Sequence, residues 1–372
     1  MNSRIETLTP DTLMPLVRQA LADSTAEVTS WQVEPIHGGW GGAVGGTALY
    51  RVRGQTTRHQ PWSLILKVLY ERPGEAETAP YYWKREYELY RSGMLDQLPN
   101  IGLTPPTFYA FADFTDSCWI WMADIPIPDR KWTFEDYRTI ARRLGRLNGA
   151  YLTGQPIPDH PWLNFHWHCR ITALLTETFD RLDEYAQHPL VQRTLPLDEK
   201  DMIVSIWREA ERYCDALASL PQTLCHLDAF HRNLIHRGHD TILIDWALAG
   251  RGAVGEELVA FVALSLYFPE ILMSQAETLD QTAFAGYIDG LRDAGWTGDA
   301  QLVRRGYTCA MTLRGLAGVK QDIGLLLDET RHDWLRQQYG IDDLEALADF
   351  FAGIRRFRLI RMAKEARQLL GK

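Results

Sequence analysis

LCHLDAFHRNLIHRGHDTILIDWALAGRGAVGEEL, residues 224–258, decides the reading of this chain. It places His226-Leu227-Asp228 five positions before Asn233, and Asn233 twelve positions before Asp245, which ends a short apolar strand pattern. A tight loop between two short strands can present these three side chains to one cavity. Their chemistry is complementary. One carboxylate can orient a hydroxyl and accept its proton. An amide oxygen and a second carboxylate are hard oxygen donors of the kind that Mg²⁺ takes.

The spacing H-x-D-x-x-x-x-N, followed by an Asp on a hairpin, is similar to the protein-kinase catalytic loop. More closely, the stretch resembles the aminoglycoside phosphotransferase family, the small-molecule branch of the protein-kinase-like fold. That family usually reads H-G-D-x-x-x-x-N, then I-D-[WF], then Gly-(Asp/Glu)-x-x-Leu. Here Ile244-Asp245-Trp246 and Gly255-Glu256-Glu257-Leu258 stand in those places. The chain departs from the pattern at Leu227, where Gly is usual, and at Ala229, His231 and Arg232. The departures leave the catalytic groups in place.

The resemblance implies an α+β, protein-kinase-like two-lobe fold. A small β-rich N-lobe would span 1–125 and carry the nucleotide. A larger, mainly helical C-lobe would span 126–372, with the catalytic loop, the metal site and an acceptor pocket. It implies a phosphotransferase that uses ATP and Mg²⁺ on a hydroxyl of a small molecule, aminoglycoside-, sugar- or choline-like. Asp228 would be the catalytic residue, and Asn233 and Asp245 the metal ligands. His226 would support the loop. Arg232 would pair with Asp228 or a phosphate, or lie on the surface.

The N-terminal third has the elements such a fold needs. Residues 9–23 have Thr9 as N-cap, Pro10 at the first position and Leu13, Leu16, Val17 and Leu21 at helical spacing. Two strand patterns flank the glycine cluster at 38–46, where Gly41, Gly42 and Gly45 would approach nucleotide phosphates. The cluster lacks G-x-x-x-x-G-K-[ST], which speaks against a P-loop. WSLILKVLY, 62–70, buries Lys67 in an apolar strand, at a cost unless the ammonium is paired. A helix expected over 78–95 offers Glu86 and Glu88; by the family pattern Glu86, four residues before Tyr90, is the better partner. A hairpin over 96–127 ends at Trp121-Met122-Ala123-Asp124, which resembles the hinge that binds adenine, with Met122 and Asp124 as the contacts. PIPDRK, 126–131, reads as linker.

The rest reads as helices: 134–152, 169–188, 200–220, a buried 256–268, then 276–294, 299–318, 321–336 and 342–370. Glu177, Asp180 and Glu184 share a face, read as solvated rather than as a seat for a cationic acceptor. Arg355, Arg356, Arg358, Arg361, Lys364 and Arg367 give the last helix a basic face. Histidines 226, 231, 236 and 239 lack a supporting Cys, which argues against zinc. Trp40, Trp246 and Trp296 read as core rather than as stacking platforms.

A net charge of −9 and a pI near 5.7 argue against nonspecific nucleic-acid binding, which needs a basic surface. Five scattered cysteines without C-x-x-C point away from a disulfide framework and toward a reducing compartment. The N-terminus lacks the apolar core of a signal peptide, and no run approaches a membrane span. The expectation is a cytoplasmic protein; nothing sets its oligomeric state. A rival reading is a kinase-like pseudoenzyme that binds a nucleotide or a partner. The intact Lys67, Asp228, Asn233 and Asp245 argue against it, the altered Leu227 and Arg232 keep it open, and ADP release in the presence of hydroxylated small molecules separates the two.

Overall fold

The computed structural model describes residues 3–36 and 46–371. Gly41, Gly42, Gly45 and Trp40 therefore lie outside the described residues. The chain divides into two compact units. The first comprises Met1–Leu98, Thr104–Pro128 and Ile242–Ala247; the second comprises Pro99–Leu103, Asp129–Thr241 and Leu248–Lys372. The segment with Asp245 thus packs with the first unit, although the sequence pattern groups it with the catalytic loop.

In the first unit five antiparallel strands form one sheet. They are β1 (Val28–Ile36), β2 (Thr47–Thr56), β3 (Pro61–Tyr70), β4 (Phe108–Asp113) and β5 (Ser117–Ala123), in the order β1-β2-β3-β5-β4. Alternation splits β3 between two faces. Leu64, Leu66 and Val68 join Tyr50, Val52, Trp119 and Trp121 in a core closed by Leu13, Leu16 and Val17 of helix α1 (Pro10–Leu21). Each such aliphatic side chain contributes about 1.5–3 kcal/mol by leaving water. The expected cap is present: the Thr12 N–H donates to Thr9 Oγ1 at 3.3 Å. Ser63, Ile65 and Lys67 fall on the opposite face.

The helix expected over 78–95 forms only as α2 (Arg85–Arg91). Competing hydrogen bonds shorten it. The Trp83 N–H donates to Glu75 Oε2 at 2.9 Å, and the Ala79 and Pro80 carbonyls accept from the Arg85 guanidinium at 2.5 and 3.1 Å. Gly93, at φ 71°, turns the chain away soon after the last turn.

The second unit is mainly helical. Helix α3 (Phe134–Leu152) opens on a capping box, with the Asp136 N–H on Thr133 Oγ1 at 3.2 Å and the Thr133 N–H on Asp136 Oδ2 at 2.7 Å. A small sheet sets Gly250–Ala253 antiparallel to Gln222–Cys225 and parallel to Asn164–Phe165. The single helix expected over 169–188 is broken into Trp167–Thr172, Thr176–Asp180 and Leu182–Tyr185. Threonines favour this, because their hydroxyls compete for backbone carbonyls; Thr172 Oγ1 takes the His168 carbonyl at 2.7 Å. The acidic face is not formed as one stripe: Glu177 and Glu184 both pair with Arg181. The helix expected over 200–220 breaks at Glu209, between Leu197–Arg208 and Ala210–Ser219.

Leu258–Tyr267 is buried almost all round, as its composition requires. The helix expected to end at 318 runs unbroken over Ala300–Leu327. The last expected helix has a wider turn at Arg356–Arg361, between Leu344–Arg355 and Met362–Leu369. Its arginines turn toward acids: Arg355 to Glu199, Arg358 to Asp322, Arg361 to Asp280 and Arg367 to Glu209. Trp246 is fully buried and Trp296 nearly so. The cysteine expectation needs correction. Cys169 and Cys214 are joined, 45 residues apart with Cα atoms 5.6 Å from each other, while Cys118, Cys225 and Cys309 are free and buried.

Helix α3 and the helix Ala276–Asp293 approach so closely that glycines are obligatory. A Cβ on Gly290 would lie 1.9 Å from the Arg142 carbonyl oxygen, and one on Gly145 would lie 2.2 Å from that of Tyr287. Gly290→Ala should therefore destabilise the chain by about 1–3 kcal/mol through overpacking. Asp289→Ala, which removes only an exposed pair with Arg138, should cost under about 1 kcal/mol. Urea unfolding of the two variants checks this.

Candidate active site

In the first unit the apolar strand β3 buries Lys67 with its side chain 8 % exposed. The ammonium lies 2.5 Å from Glu86 Oε2 and 3.0 Å from Asp245 Oδ1. Burial alone would lower the Lys67 pKa, but the two carboxylates overcome it, and the net shift is upward. Lys67 is therefore held as a cation. Burial raises Glu86 against the pull of Lys67, and Tyr90 donates to its Oε1 at 2.6 Å. Glu86, not Glu88, is thus the carboxylate on Lys67; Glu88 lies 3.8 Å from Lys84.

Asp245 reaches Lys67 from a left-handed backbone, φ 63°. Asp tolerates that region better than most residues, yet at a cost. Buried Trp246 fixes the turn by donating Nε1–H to the Leu243 carbonyl at 3.0 Å. Asp245 keeps 41 % of its side chain exposed. Met122 pairs with Ile65 across β5 and β3. Asp124 follows β5, and its carboxylate accepts from Arg51 and Ser63.

In the second unit the loop 226–233 is fixed by side chains rather than by a strand ladder. Glu257 Oε2 accepts the His226 N–H at 2.7 Å, and His226 Nδ1 accepts the Asp228 N–H at 3.2 Å. Asn233 Nδ2 donates to the Asp228 carbonyl at 2.9 Å and to Asp228 Oδ2 at 3.1 Å. The Asn233 carbonyl oxygen is then the end that suits a cation. The donor types in the chain, the Asn233 oxygen and the Asp245 carboxylate, fit Mg²⁺.

Leu227 explains how the loop tolerates losing the usual glycine. It adopts the left-handed conformation, φ 66°, that glycine would take freely. The penalty is roughly 1–2 kcal/mol. Packing against Trp167, Ile171 and Cys225, with 1 % exposure, offsets it.

Three contributors had no role assigned from the sequence: Arg314, which lies outside the motif, and Glu256 and Glu257, which stand inside it. Arg314, on the helix Ala300–Leu327, donates to Asp228 Oδ1 at 3.2 Å and to the Leu227 carbonyl at 3.4 Å, with its guanidinium 5.2 Å from the Trp167 ring centroid. It takes the place considered for Arg232, which lies over the Phe268 ring at 3.9 Å. Glu256 binds buried His168 Nδ1 at 2.6 Å. Glu257 acts beneath the loop. Gly255 sets up this turn at φ 97°, where a Cβ would meet the Val303 carbonyl at 2.3 Å. Two of the other histidines are separately engaged: His231 with Glu270, and His236 with Arg143 and Thr241.

Burial pushes Glu257 up to about 7, against the hydrogen bonds from His226, Leu227 and Asn148, with the nearby Asp228 charge adding to the rise. Its folded pKa therefore exceeds the ordinary 4.5. The folded chain holds an extra proton between these values, so the stability from this group is full below the lower one and is lost as pH rises to about 7. Glu257→Gln should remove that component. Denaturant unfolding from pH 4.5 to 8 should show wild-type stability falling relative to the variant through this window, with a constant difference above it. A difference independent of pH would refute the assignment.

Residues 133–296 match the family model described as Phosphotransferase enzyme family. The match includes Asp228, Asn233 and Asp245 and excludes Lys67, Glu86 and Arg314. No curated protein matches the chain in sequence. Among solved structures, an amicoumacin kinase, hAmiN, in complex with AMP-PNP, Ca²⁺ and Ami, is 15 % identical with a TM-score of 0.52, over 99 % of this chain and 96 % of that one. A choline kinase from Cryptosporidium parvum Iowa II is 12 % identical with a TM-score of 0.55, over 97 % of each chain. At such identities the likeness speaks to the fold. The resemblance carried by residues 224–258 is found again in the family match over residues 133–296, and the fold agrees with it: the chain has the protein-kinase-like fold and over that stretch is similar to the phosphotransferase enzyme family.

Proposed function

We propose that the chain transfers the γ-phosphoryl group of ATP, with Mg²⁺, to a hydroxyl of a small molecule that is aminoglycoside-, sugar- or choline-like. The observation that carries this reading is Lys67, buried and cationic between Glu86 and Asp245. A strand lysine held in this way is costly for stability alone and useful where phosphates must be neutralised.

Each residue then has a role its chemistry fits. Lys67 binds α- and β-phosphate oxygens, and Glu86 keeps it in place. Met122 and Asp124 belong to the segment that meets the base, and the glycines 41, 42 and 45 would cover the phosphates. Asp245 and Asn233 would hold Mg²⁺, which would supply neutralisation of charge on the phosphates. Asp228 orients the acceptor hydroxyl and takes its proton as the oxygen attacks phosphorus. Asn233 and Arg314 restrain the two oxygens of that carboxylate, so that its direction is set before the acceptor arrives. Positioning and charge stabilisation supply most of the rate in such a reaction. That hAmiN was crystallised with AMP-PNP favours nucleotide use by this fold.

A melting titration with Mg·ATP, Mg·GTP and nucleotide without metal tests the reading on the wild type, Lys67→Ala and Asp245→Ala. Nucleotide at ~100-fold over its Kd should stabilise the wild type by about 2.7 kcal/mol. The metal-dependent part should vanish in Asp245→Ala, and most of the shift in Lys67→Ala. A wild-type midpoint indifferent to millimolar nucleotide would sink the proposal. A shift retained in both variants would remove these residues from the site.

A further inference from the structure

The face of the first unit's sheet that carries Lys67 is graded along β3, from buried Lys67 to half-buried Ser63. Lys67, Ile65 and Ser63 alternate onto it, while Leu64, Leu66 and Val68 enter the core on the other side. Across the ladders Ile120 pairs with Lys67 and Met122 with Ile65, so Asp124 falls beside Ser63. On β2, Arg51 pairs with Ile65 and Arg53 with Ser63. At about 3.4 Å per residue, Ile65 stands roughly 7 Å from Lys67 and Ser63 roughly 14 Å. One face therefore presents a cation, then an apolar slab, then a polar cluster. These match the phosphates, the flat ring and the hydrogen-bonding edge of a purine nucleotide.

The polar cluster is closed on itself. Asp124 Oδ2 accepts Arg51 Nε at 2.8 Å and Ser63 Oγ at 2.5 Å, and its Oδ1 accepts Arg51 Nη2 at 3.2 Å. The Asp124 side chain is 17 % exposed and that of Arg51 is 42 %. A groove of about 730 Å³ runs beside the cluster, lined also by Arg53, Trp31 and Trp62. The cluster is thus within reach of a ligand, but its carboxylate is already committed to protein donors.

That commitment discriminates between purines. The Watson–Crick edge of guanine offers N1–H and N2–H, two donors side by side, which a carboxylate with two free oxygens accepts together. Adenine has an acceptor at N1 and a donor only at N6, and gains nothing comparable. Resting on the phosphotransferase reading, we propose that Arg51 and Ser63 set a preference for adenine over guanine nucleotides by holding the Asp124 carboxylate away from the base edge. Freeing Asp124 turns the same site toward guanine.

The test is calorimetric binding of Mg·ADP and Mg·GDP to the full chain. The variants are Arg51→Met, Ser63→Ala and the double variant Arg51→Met with Asp124→Asn, each first shown to melt cooperatively without nucleotide. The wild type should bind ADP more tightly than GDP. Arg51→Met should narrow that ratio about tenfold, the discrimination expected of one bidentate base contact. Ser63→Ala should narrow it less, and the double variant should restore it. A wild type that does not favour ADP, a ratio unmoved in both single variants, or a GDP gain that survives Asp124→Asn would each overturn the proposal while leaving the nucleotide site intact. A wild type that binds neither nucleotide would overturn the phosphotransferase reading and this proposal together.

Discussion

A lysine inside an apolar strand is the constraint around which the first unit is built. Lys67 is buried, and an ammonium in that position without partners would cost several kcal/mol. Glu86 and Asp245 answer that cost from different parts of the chain: one from a seven-residue helix, the other from a left-handed turn 178 residues away. Removing either carboxylate leaves the charge less compensated, a loss of the ~3–5 kcal/mol class when a buried pair is broken. Two carboxylates on one ammonium also leave excess negative charge at the exposed member, Asp245. That charge has the sign that attracts a divalent cation.

The second unit solves a different problem. Its loop must hold Asp228 in one direction with almost no ladder hydrogen bonding. Side chains do this: Glu257 from below, His226 and Asn233 within the loop, and Arg314 from a distant helix. Two non-glycine residues with positive φ, Leu227 and Asp245, fall in residues 224–258. Strain of this kind persists only where packing over-determines it. Leu227 has its apolar cluster, and Asp245 has Lys67 and the locked Trp246.

Much of this was readable because the signals are local or violate a local rule. Asp228, Asn233 and Asp245 stand at fixed short spacings, and Lys67 declares itself as a charge in a strand that alternation buries. Glu86 followed from the resemblance, because the family pattern places the Glu four residues before an aromatic, here Tyr90. Arg314 gave no such sign: it is 86 residues from Asp228, in a helix where its neighbours read as ordinary core. The joining of Cys169 and Cys214 is equally nonlocal. Helix breaks were missed where tertiary hydrogen bonds outcompete propensity, as at Trp83 and Glu75. The basic face of the last helices was visible, but not that its arginines meet acids, two of them buried, because periodicity shows that charges share a side and not what lies opposite. The glycine cluster at 38–46 falls almost entirely outside the described residues.

The most direct test of the central claim is ADP release from Mg·ATP in the presence of hydroxylated small molecules, with wild type and Asp228→Asn measured side by side. The account predicts acceptor-dependent release in the wild type. It predicts a loss of at least about a hundredfold in the variant, the scale of general-base catalysis, with nucleotide binding retained. Equal release in both proteins, or a wild type that binds Mg·ATP yet transfers to no acceptor across aminoglycosides, sugars and amino alcohols, would contradict it.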